Sequence, residues 1–68
     1  MNLARINEWV SEYERDLKHI DALVATLIDA TDPSDKMILE TWLANKRKAI
    51  LGKDEIYVKF KTLLERSN

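Results

Sequence analysis

Leu3, Ile6, Val10, Tyr13, Leu17, Ile20, Val24 and Leu27 recur at alternating intervals of three and four residues. An unbroken stripe of this kind has the period of an amphipathic α-helix and no other regular element. With Leu3, Val10, Leu17 and Val24 at heptad position a and Ile6, Tyr13, Ile20 and Leu27 at d, Trp9, Asp16 and Leu23 fall at g. The apolar face is therefore wider than a two-stranded seam, and this helix needs more than one neighbour. Asn2 is a suitable N-cap, and the helix is predicted to run over about 3–30, roughly 42 Å at ~1.5 Å per residue.

Thr31-Asp32-Pro33-Ser34-Asp35 is the strongest turn chemistry in the chain. Asp32 can cap a second helix with Pro33 at its first position, where a missing N–H is harmless, and Asp35 complements the positive end of the helix dipole. A turn at about 31–34 is too short to join anything but antiparallel neighbours. The second helix is predicted to reach about Arg66, with Leu43, Ile50, Tyr57 and Leu64 at a, Leu39, Lys46, Lys53 and Phe60 at d, and Trp42, Ala49, Ile56 and Leu63 at g.

Gly52 is the ambiguous position, because a glycine after an apolar run commonly ends a helix and Asp54-Glu55 can open another. The heptad phase passes through it without a stutter. We therefore read one long second helix, with a break at Gly52 and a third helix as the alternative. In the continuous hairpin Gly52 lies opposite Tyr13 and would make room for the ring.

The predicted fold is thus a single all-α domain over residues 1–68, an antiparallel helical hairpin completed into a bundle by self-association or a partner. With 68 residues, one Gly, one Pro and no Cys, the chain cannot be a disulfide scaffold, a Cys-ligated zinc module or a low-complexity linker. No run approaches the roughly 18 apolar residues of a membrane span, and the acidic N-terminal stretch does not read as a signal peptide, so a cytoplasmic protein without a membrane partner is expected. Residues 1–32 carry three basic and seven acidic side chains, residues 33–68 eight basic and five acidic. Complementary charge of this kind suits two elements packed on each other.

Catalytic chemistry finds little support. His19 is the sole histidine, sits at an outward c position, and is expected to be solvated or salt-bridged. There is no phosphate loop, nucleophile elbow or metal-binding motif, so no enzyme activity, cofactor, metal or small-molecule substrate is expected. Lys46 and Lys53 occupy d positions; the antiparallel register sets Lys46 near Asp16 and His19, and Lys53 near Glu12 and Asp16, as a polar layer across the hairpin. Trp9 and Trp42, at g, are expected in the bundle core.

Two features point to partners. Met37, Ala44, Leu51 and Val58 fall at seven-residue intervals on position b, nearly opposite the a/d/g face, and form a second apolar stripe that a two-helix monomer cannot cover. They are the candidate partner-binding residues of a non-catalytic helical interaction module of the adaptor, chaperone or inhibitor kind. The alternative is a dimeric hairpin regulator that binds nucleic acid through Lys46, Arg47 and Lys48, although Asp54 and Glu55 dilute the basic field. In length and topology alone the expected hairpin is similar to plasmid copy-number hairpin regulators and to hairpin co-chaperones of secretion needle subunits; no residue motif is shared with either.

Overall fold

Asn2 starts the first helix as its side chain predicts, accepting hydrogen bonds from the backbone N–H groups of Ala4 and Arg5 at 3.1 and 3.3 Å. The computed structural model describes residues 2–67, and this helix, α1, spans Leu3–Asp29. Asp32 caps the next, accepting from Ser34 N–H at 2.8 Å, with Pro33 in the first turn; α2 spans Pro33–Ile50. A third helix, α3, spans Asp54–Arg66.

The second arm is therefore two helices rather than one. Leu51 is extended at φ −59°, ψ 127°, Gly52 has φ 76°, and Lys53 N–H donates to Ile50 O at 3.1 Å. These are the marks of a type II turn over 50–53, whose third residue needs the positive φ that glycine adopts without strain. The reading of Gly52 as space for an aromatic ring is corrected too. A Cβ built on it would meet nothing within 4 Å. The glycine is required by its backbone angle and not by its neighbours.

Heptad phase survived the break because it reports which face meets α1, not whether the backbone is continuous. Both α2 and α3 pack on α1 and touch each other little. The result is a rod 48 × 18 × 16 Å, an antiparallel hairpin whose return arm carries a kink. Tyr57 stacks on Tyr13 with centroids 4.6 Å apart, the place an unbroken helix would give Gly52. The turn consumes residues without advancing along α1, so the pairing slips.

The core is small. Ile6, Val10 and Tyr13 of α1 and Leu43 of α2 are buried. Trp9 stacks on Tyr13 at 5.6 Å and meets Phe60 edge-on at 5.2 Å, so Trp9, Tyr13, Tyr57 and Phe60 form one aromatic cluster that docks α3. Such pairs contribute about 0.5–1.5 kcal/mol each beyond their burial. Glu14 ties the edge of this cluster, accepting from Tyr57 Oη at 2.9 Å and from Lys61 Nζ at 3.4 Å.

Candidate functional site

The predicted polar layer forms in part. Lys46 Nζ donates to Asp16 Oδ1 at 3.1 Å, joining α2 to α1 as the register required. His19 lies beside Lys46 on the wall of an open groove and is exposed. Lys53 does not complete the layer: it shares a shallow hollow with Glu12 and Asp16 but makes no ion pair among the described residues. Its backbone, the N-cap of α3, belongs to the turn, and that placement overrides the heptad expectation.

Of the basic cluster, Lys46 is held by Asp16, while Arg47 and Lys48 stand exposed in the last turn of α2. There they face the negative end of the helix dipole, a favourable position for a cation whatever else it binds. Asp54 and Glu55 open α3 only a turn away.

The b-position residues are all exposed, Met37 at 71%, Leu51 at 81% and Val58 at 61% of their full surface, with Ala44 also in solvent. They do not lie on one helix, as the continuous reading required. Met37 and Ala44 are on α2, Leu51 is its C-cap in the turn, and Val58 is on α3. None is buried against α1, so this outer ridge has no part in closing the hairpin.

A second surface was missed by the sequence reading. Trp42, expected in the core, is 57% exposed and stands between two hollows on one flank of the α1–α2 pair. One hollow, of about 590 Å³, is lined by His19, Ala22, Leu23, Asn45 and Ala49. The other, of about 490 Å³, runs toward the α1–α2 turn past Ile38, Leu39, Asp29 and Asp35. Thr26 and Trp42 line both, so they form one groove. The signal was present: in an antiparallel pair the two g flanks face the same side, and Leu23, Trp42 and Ala49 are all g residues. On this flank a g residue is core only where a further helix covers it, and in the single chain nothing covers Trp42 as Phe60 covers Trp9.

Among the described residues no cluster of three or more His, Asp or Glu side chains is arranged to hold a metal ion. No described helix is long and apolar enough to cross a membrane. No protein-family model matches the chain, and no curated protein or solved structure shows significant similarity to it.

Proposed function

We propose that the chain is a non-catalytic helical interaction module that holds a protein partner on its outer ridge. One observation carries this reading: Met37, Leu51 and Val58 expose most of their surface and are not part of the buried core. Single exposed apolar residues are ordinary, but three large ones on one arm, on α2, in the turn and on α3, offer anchors for an apolar partner surface. The mixed charge beside the ridge, Glu40 and Arg47 on α2 and Asp54 and Lys59 on α3, suits a polar interface rim. A small adaptor, chaperone or inhibitor would work in this way.

The nucleic-acid reading keeps two residues. Arg47 and Lys48 are exposed and make no ion pair among the described residues, but Lys46 is engaged by Asp16. Two free cations supply little of the phosphate neutralisation on which nucleic-acid affinity depends.

Both readings are tested by co-purification of the tagged chain from its native cells, alongside Leu51→Glu/Val58→Lys and Arg47→Gln/Lys48→Gln. The protein-partner reading expects the ridge variant to stay helical by circular dichroism and to lose the partner, while the second variant retains it. Retention by the ridge variant refutes the proposal. Loss of a salt-sensitive, nuclease-sensitive partner by the second variant transfers the function to nucleic acid.

A further inference from the structure

We infer that the Trp42 groove is the contact surface for a second copy of this chain, so that two rods pair side by side as a four-arm bundle and leave both outer ridges free. The inference does not depend on what the ridge binds. It rests first on area. The chain exposes 5470 Å², whereas a globular monomer of its mass exposes about 4,400 Å² by the usual scaling. The excess of about 1,100 Å² is comparable with the ~800 Å² that each partner contributes to a stable, standard-size interface. The radius of gyration agrees, 15.2 Å against about 11 Å for a compact chain of this length.

The groove is an apolar part of that exposed surface which no element of the chain covers. Its walls are largely apolar, formed by Ala22, Leu23, Ile38, Trp42 and Ala49. Trp42 is the one aromatic residue outside the Trp9–Tyr13–Tyr57–Phe60 cluster. A large exposed indole flanked by hollows is the kind of anchor on which interfaces concentrate their energy.

The same geometry selects a second copy as the occupant. An isologous contact needs a projection and a matching recess on one face. Trp42, 57% exposed, is the projection, and the hollow lined by Ala22, Leu23 and Ala49 is the recess. A two-fold axis passing beside Trp42 carries each indole toward the other copy's recess. Charge favours that antiparallel arrangement: Asp29 and Asp35 border the hollow nearer the turn, Lys46 the other, and a two-fold brings unlike ends together. Since Lys46 already shares Asp16, area and shape contribute more than charge.

Sedimentation equilibrium of the full chain from low to hundreds of micromolar tests this. The expected species has twice the 7.9 kDa chain mass. Trp42→Glu is expected to weaken the dimer by about 30-fold or more, as loss of an interface hot spot does. Ala49→Arg, placed on the groove wall and clear of the core, repeats the test should Trp42→Glu disturb folding, which circular dichroism reports. Leu51→Glu/Val58→Lys is expected to remain dimeric. A wild-type chain that stays monomeric across the range overturns the inference, as does a dimer that survives both folded groove variants. So does a dimer broken by the ridge variant alone, which would make the ridge the self-association surface. A monomeric wild type whose ridge variant still loses a protein partner would overturn this inference and leave the proposed function standing.

Discussion

Tyr57 lies nearly face to face with Tyr13, ring centroids 4.6 Å apart and planes inclined by 26°, and its hydroxyl donates to Glu14 Oε2 at 2.9 Å. One side chain thereby docks α3 on α1 through both an apolar face and a polar tip. Tyr57→Phe keeps the stack and removes the hydrogen bond, and is expected to lower the unfolding free energy only slightly. Tyr57→Ala removes both, and is expected to lower it clearly more and to release α3 first. Urea unfolding measures the two losses, and amide exchange locates the second. Equal losses from both variants would mean that the stack contributes nothing.

The same pair makes stability depend on pH at both extremes. The hydrogen bond donated by Tyr57 holds the Glu14 carboxyl below its ordinary value, with Lys61 adding to the effect and desolvation opposing it. A lowered carboxylate contributes stability that is present above its unfolded value of 4.5 and is lost as pH falls through the folded one. Hydrogen bonding to Glu14, then desolvation, pushes the Tyr57 hydroxyl above its ordinary 10.0, so its contribution is present below that value and is lost as pH rises through the raised one. The stability difference between wild type and Tyr57→Phe should be flat through neutral pH and shrink at both ends of a pH series of melting curves. A difference that stays constant from acid to alkali would refute this coupling.

Local chemistry and facing were legible in the sequence; continuity and coverage were not. Asn2 and Asp32 read as caps because a cap is set by a side chain and the N–H groups two or three residues on. Lys46 could be placed beside Asp16 because both lie on the stripe that the short turn folds together. Gly52 was misread because Tyr57, Phe60 and Leu64 keep heptad phase whether or not the helix is unbroken. Trp42 was misplaced for a different reason: its g position says which flank it occupies, and burial there depends on a neighbour the single chain does not contain.

The Lys46–Asp16 pair reads as a register device more than a source of stability. Both side chains keep about a third of their surface in water, 38% and 28%, where ion pairs contribute about 0–1 kcal/mol. Lys46→Met is expected to change stability by less than about 1 kcal/mol, because the apolar side chain recovers in packing what the pair loses. A double-mutant cycle with Asp16→Asn should return a coupling below about 1 kcal/mol that declines in high salt. Coupling above about 2 kcal/mol would identify a desolvated network instead.

Gly52 offers the sharpest test of the break. Because nothing lies within 4 Å of an added Cβ, a substitution there is read through backbone conformation alone, without a steric contribution. At φ 76° an L-residue is strained, so Gly52→Ala is expected to destabilise by about 1–2 kcal/mol. A continuous helix would instead gain about 1 kcal/mol from the same change. The chain is short enough for chemical synthesis, which allows D-alanine at position 52. A D-residue favours positive φ and narrows the unfolded ensemble, so this variant is expected to stabilise by roughly 0.4–1 kcal/mol. Opposite signs for the two enantiomers, measured by thermal unfolding at one protein concentration, would establish the type II turn between α2 and α3. A stabilising L-alanine would show that the second arm is a single helix.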